Sequence, residues 1–106
     1  MKFLVTSTTK YPIPPEMVPA LVDAMAAWAS KYTESGKLEA VWSFAGLAGG
    51  GGIANVDSLE ELDAILVEFP FGPFSEIEIL PIVDLHESLQ RLKQAALAMA
   101  QAMPKA

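Results

Sequence analysis

Gly36-Lys-Leu-Glu-Ala-Val-Trp-Ser-Phe-Ala-Gly-Leu-Ala-Gly-Gly-Gly-Gly-Ile-Ala-Asn-Val56 holds two apolar, β-favouring runs with a glycine-rich connection between them. Runs this close along the chain pair antiparallel, because a parallel partner needs a crossover of a dozen residues or more. Leu38 to Ala45 is the first run, with Val41, Ser43 and Ala45 on one face and Trp42 and Phe44 on the other. Both faces are mostly apolar, which predicts cover on both sides of the strand. Ile53-Ala-Asn-Val56 belongs to the second. The four glycines Gly49 to Gly52 read first as a flexible hairpin loop. Their alternative reading is the weak start of the following strand, a floor left bare for a ligand. A phosphate cradle is disfavoured, since no helix begins directly after them and no Lys-Ser/Thr pair follows.

Before this segment, Lys2 to Thr9 is rich in β-branched and aromatic residues and predicts the first strand. Tyr11-Pro-Ile-Pro-Pro15 ends it, because proline cannot donate to a ladder. From about Glu16 the spacing becomes helical: Met17, Leu21, Met25, Trp28 and Tyr32 form one apolar stripe, Pro19 sits in the first turn, and Gly36 is the stop. After the segment, Ser58-Leu-Glu-Glu61 is a capping box, and a second helix follows with Leu59, Leu62, Leu66 and Phe69 in its stripe. Pro70 ends it. Phe71-Gly-Pro-Phe74 is a rigid connector, and Ser75 to Val83 alternates as a fourth strand. Asp84 or Ser88 opens a third helix with an apolar seam of Leu85, Leu89, Leu92, Ala96, Met99 and Met103.

The order β-α-β-β-α-β with right-handed crossovers predicts an α+β, ferredoxin-like domain: a four-stranded antiparallel sheet with both helices on one face, plus the C-terminal helix. The chain of 106 residues is one domain. Hydrophobic residues are 52% and charged residues 19%, rich for a small soluble monomer. The uncovered sheet face therefore predicts burial against a second copy in a two-fold barrel, with residues 84–106 as a helix for subunit association in a homodimer or higher homo-oligomer. The net charge of −6 and the lack of a Lys/Arg run argue against nucleic acid and anionic membranes as partners. No cysteine is present, which removes disulfides and thiolate chemistry. The N-terminal apolar run is too short for a signal peptide or a span, so a cytoplasmic protein is expected.

Gly36-x5-Trp42-x2-Ala45-Gly46, Val56-x-Ser58-x3-Leu62, Phe69-Pro-Phe-Gly-Pro-Phe74 and Ile77-Glu-Ile79 resemble, in order and spacing, the muconolactone isomerase family. The resemblance implies a dimeric α+β barrel and an enzyme that shifts a double bond in a small unsaturated lactone without metal or cofactor. Two departures accompany it. The isomerases resemble one another in carrying His-Tyr and then Asn after the Ala-Gly pair, where this chain has Leu47, Ala48 and Gly50. A glutamate of their first helix falls at about Met25. Those polar roles are not carried over, and the resemblance then implies a more apolar substrate than muconolactone, an anion.

Shifting a proton next to a carbonyl needs a base near the working pH and a donor to the developing oxyanion. Glu78, in the Ile-Glu-Ile element, and His86, the single histidine, are the catalytic candidates. Each has a plainer reading, as an edge charge and as a helix-start residue. Ser43 and Asn55, polar residues in apolar strands, and Trp42, Phe44, Met25 and Trp28 are the candidates for binding a small apolar molecule. Core packing is the plainer reading of the aromatic residues and Met25. One histidine and scattered carboxylates give no metal-ligand spacing, and no nucleophilic triad can be assembled. Two functions are expected. One is a cofactor-free isomerase acting by proton transfer on a small, rather apolar lactone or carbonyl compound, with cofactor-free cyclases or monooxygenases of aromatic polyketides as a neighbouring variant. The other is a non-catalytic binding or assembly module.

Overall fold

The computed structural model describes residues 1–103; the last three residues of the expected C-terminal helix lie outside them. The elements run β1 (Lys2–Thr9), α1 (Val18–Glu34), β2 (Leu38–Ser43), β3 (Gly49–Asn55), α2 (Leu59–Val67), β4 (Ser75–Ile82) and α3 (Leu85–Ala102), with single 3-10 turns at Pro15–Met17 and Gly72–Phe74. The strand order is β2-β3-β1-β4 and every pairing is antiparallel. This is the ferredoxin-like α+β arrangement that the element order predicts.

The glycine run is a strand and not a loop. Gly49 to Gly52 pair with Thr8 to Val5 of β1, and Gly50 to Gly52 also pair with Ser43 to Val41 of β2. The backbone hydrogen bonds of a central strand need no side chains, so glycine keeps the ladder where both neighbours supply partners. β2 is correspondingly shorter than expected and ends at Ser43; Phe44 lies in the turn, where its N–H donates to the Gly49 carbonyl at 3.0 Å. An irregularity between Leu38 and Ala40 absorbs one residue. Leu38 therefore shares a face with Val41 and Ser43.

Helix ends follow the sequence signals. Ser58 Oγ accepts from the Glu61 N–H at 3.1 Å, and Glu61 Oε2 accepts from the Asp57 N–H at 3.0 Å. Glu61 thus reaches one residue further back than a simple capping box requires. Its other oxygen meets Lys37 Nζ at 2.6 Å, tying the start of α2 to the start of β2. Asp84, not Ser88, opens α3: its Oδ2 accepts from the Glu87 N–H at 3.0 Å. Pro81 is tolerated because β4 is an edge strand.

The buried core is small: Phe3, Leu38, Ala54, Val56, Leu62 and Ile65. It lies between one end of the sheet and α2, with Val5, Trp28, Tyr32 and Leu66 packed around it. No residue of α1 or α3 is buried. The radius of gyration is 19.3 Å and the longest extent 72 Å, against a radius of about 13 Å for a compact chain of this length. Among the described residues no helix is long and apolar enough to cross a membrane.

The Lys37 ammonium and the Asp57 N–H hold the Glu61 carboxyl below its ordinary value, and the Glu61 carboxylate raises Lys37. A depressed carboxylate stabilises the fold above its unfolded pKa and loses that contribution as pH falls through the folded value. Thermal unfolding followed against pH should show the native chain melting higher than Glu61→Gln at neutral pH, with the two curves converging in acid. Curves that stay parallel down to pH 3 would refute the coupling.

Candidate functional site

Residues paired directly across neighbouring strands share a face, so the inner face of the sheet is built in rows. The first row is Leu38, Ala54, Phe3 and Pro81, three of which belong to the buried core. The second is Val41, Gly52, Val5 and Ile79. The third is Ser43, Gly50, Ser7 and Ile77. Along the sheet the rows change from filled and apolar to hollow and hydroxyl-bearing. At Gly52 and Gly50 the third strand offers no side chain, and a trough runs between Val5/Ser7 and Val41/Ser43.

Above the trough, α1 and α2 form the walls of a cavity of about 480 Å³. Val22, Met25 and Trp28 come from α1, and Leu62, Ile65 and Leu66 from α2. Of the stripe expected for this helix, Met25 and Trp28 line the cavity and Met17, Leu21 and Tyr32 do not; Val18 and Val22, off that stripe, complete the wall. Trp28 is fixed on both sides. Its Nε1–H donates to the Ile65 carbonyl at 3.0 Å, and its ring meets Phe69 at 5.1 Å and Tyr32 at 5.7 Å between centroids. Such tilted and edge-on pairs are favoured aromatic geometries.

The side-chain polar groups of the lining, apart from the already bonded indole of Trp28, are the hydroxyls of Ser7, Thr9 and Ser43 and the indole N–H of Trp42; no lining residue is ionisable. Ser7 and Ser43 flank Gly50 two strands apart, roughly 10 Å by sheet spacing. A charged ligand buried here would lose its hydration without gaining an opposite charge. A neutral ligand with an oxygen near the hydroxyl end suits the lining. The charged groups nearby are turned to solvent: Glu68 Oε2 accepts from the Tyr32 hydroxyl and from Lys31 Nζ at 3.1 Å, and these contacts, the tyrosine's first, hold its carboxyl below the ordinary value.

Among the residues expected from sequence, Met25, Trp28, Trp42 and Ser43 border the cavity. Trp42 does so at its edge, because by register it belongs to the opposite face. A Cβ on Gly51 would come within 2.9 Å of its indole, so the ring lies over Gly51. Phe44 and Asn55 do not line the cavity; Asn55 pairs with Lys2 on the outer face and is exposed. Glu78 pairs with Thr6, also on the outer face, and is exposed, while His86 is exposed in the first turn of α3. Neither lines the cavity. Ser7 and Thr9 were missed by sequence reasoning. Their signal is the alternation of β1, which places Phe3, Val5, Ser7 and Thr9 on one face.

An antiparallel sheet carrying two helices on one face, with a partly open hollow between the layers, defines a small two-layer α+β domain with a candidate ligand site. Comparison with known proteins names the family. The family model for muconolactone delta-isomerase matches residues 1–89, and the chain belongs to that family. The crystal structure of muconolactone isomerase at 3.3 Å superposes with a TM-score of 0.72 and 26% identity, over 79% of this chain and 90% of that one. The 5-chloro-2-hydroxyhydroquinone dehydrochlorinase of Burkholderia phenoliruptrix AC1100, solved with 2,5-dihydroxybenzoquinone, shares the fold at a TM-score of 0.61 and 17% identity, over 82% of this chain and 98% of that one. No curated protein sequence matches.

The trough depends on backbone as well as on space. A Cβ on Gly50 would collide with the carbonyl oxygen of Trp42 and stand 3.3 Å from the Ser43 Cα. Gly50→Ala should therefore lose about 1–3 kcal/mol in denaturant unfolding. An unchanged midpoint would contradict this packing of β2 against β3.

Proposed function

We propose that this member of the muconolactone isomerase family binds a small, uncharged, largely apolar unsaturated lactone or carbonyl compound in the cavity beneath α1. The observation that carries the reading is the lining: hydroxyls and apolar side chains with no ionisable group. The volume suits one compact ligand. Met25, Trp28 and the edge of Trp42 supply apolar contact, and Ser43, with Ser7, donates to the ligand oxygen. The protein acts in the cytoplasm as a homodimer that covers the outer sheet face. That face includes Leu4, Trp42, Ile53, Leu80 and Ile82 by register, with Trp42 39% and Leu80 56% exposed.

Cofactor-free proton transfer, giving isomerisation, is the second reading, favoured by family membership. It requires a base within hydrogen-bond reach of the proton that moves. Glu78 and His86 remain the candidates, and in this reading one of them reaches the ligand from a neighbouring subunit.

Binding is tested by tryptophan fluorescence and thermal shift with neutral unsaturated lactones and with their carboxylate-bearing analogues. The neutral compounds should bind at least about tenfold more tightly. Met25→Trp, which fills the hollow, should abolish binding while the melting temperature is kept. Tighter binding of the carboxylates would overturn the reading. Incorporation of solvent deuterium into a bound lactone, followed by NMR, separates the two functions. Protein-dependent exchange lost in Glu78→Gln or His86→Ala supports the isomerase; binding without exchange supports a pure binder.

A further inference from the structure

The helix α3 leaves the sheet edge after Asp84, and only its first turn stays close to Lys2, Glu39 and Ile53. The rest stands largely clear of the body, which accounts for the 72 Å extent of so short a chain. Leu85, Leu89, Leu92, Ala96 and Met99, with Met103 just past the helix end, fall at alternating steps of four and three, and Leu97 is the one large apolar residue off that line. That is a strict 3.5-residue period held over the whole helix, the pattern of a seam between helices rather than of a helix lying on a sheet. Of these, Leu85 is 65% exposed, Leu89 50%, Leu92 66%, Met99 69% and Met103 67%.

The positions flanking the seam are mostly short: Ser88, Ala95, Ala100 and Ala102, with His86 and Lys93 as the longer exceptions. Small flanks let two helix backbones approach closely. Charged residues within the helix stop at Lys93, so its second half carries no repulsion against an identical helix. The family match ends at residue 89, and most of the seam lies beyond it.

We infer that α3 pairs with α3 of a second copy of this chain through the Leu85–Met103 seam. The five large seam residues expose roughly 100 Å² each, so two helices together remove on the order of 1,000 Å², the level at which an interface becomes specific. The contact is separate from the outer sheet face. Where the sheet-face dimer also forms, α3 pairing joins one dimer to the next.

The test uses the full chain, which has no native cysteine. Cysteines placed together at Leu92 and Ala96 meet a partner's cysteines in either helix orientation, and mild oxidation at micromolar concentration should give a covalent dimer in most of the sample. Cysteines at Gln90 and Gln94, off the seam, should give severalfold less. Leu92→Glu should lower the mass seen by light scattering by a factor of two or more, while the near-ultraviolet signal of Trp28 and Trp42 is kept. Equal cross-linking on and off the seam, or an unchanged mass for Leu92→Glu, would overturn the inference. A Leu92→Glu species that falls from a larger assembly to a dimer leaves the sheet-face contact standing and supports the separate role of α3. A chain that is monomeric throughout contradicts both contacts.

Discussion

Two absent side chains govern the architecture of the site. Gly50 and Gly52 lie in the middle of the sheet with neighbours on both sides, so their backbone hydrogen bonds are complete while the space above them is empty. Any larger residue there would meet the carbonyl of Trp42 or of Ala40 before it reached the hollow. The helices cannot fall into the gap. α2 is already held at its start by Ser58, Glu61 and Lys37 and seated on Leu38 and Ala54, and Trp28 is bonded to the carbonyl of Ile65. α1 is thus held up by its contacts with α2 and spans a space it cannot fill. Close packing gives way to a cavity at the second and fourth glycines of the run and nowhere in the first row of the sheet.

The same design limits what the cavity can hold. Titratable side chains sit on the rim of the fold, where Lys37 meets Glu61 and Lys31 meets Glu68, each in contact with water. Inside are three hydroxyls, the indole N–H of Trp42 at the edge, and apolar walls. The chain therefore separates electrostatics, which fasten helix ends to strands, from ligand contact, which rests on shape and a few neutral donors. With few residues buried in the chain, the apolar outer sheet face and the exposed apolar residues of α3 are the other places where this sequence keeps hydrophobic surface.

Much of this was legible in the sequence, for reasons that can be named. Periodicity switched cleanly between two and about 3.6, proline and glycine marked most boundaries, and Ser58 and Asp84 lay where caps belong, so element order and topology followed. The motifs Trp-x-x-Ala-Gly and Phe-Pro-x-x-Pro-Phe pointed to the family that the comparison bears out. The glycine run misled, because glycine disfavours strands on average, and only the presence of two neighbouring strands makes four in a row stable. Faces were harder to read than elements. A single irregularity near Ala40 brings Leu38 onto the face of Val41 and Ser43, and β4 alternates without revealing which side Glu78 takes. Phe44 continues the apolar alternation of β2 in the sequence, yet it belongs to a turn. Ser7 and Thr9 look like ordinary β-formers until the register sets them in line with Val5.

The candidate site depends on the hollow above Gly50 and Gly52. Crystals of the protein exposed to xenon gas test it most directly, since xenon occupies dry apolar cavities and leaves filled interiors untouched. Xenon density is expected between Val5, Val41 and Met25, in contact with the bare backbone of Gly52. Side chains of α1 closed onto β3, with no density between them, would contradict it.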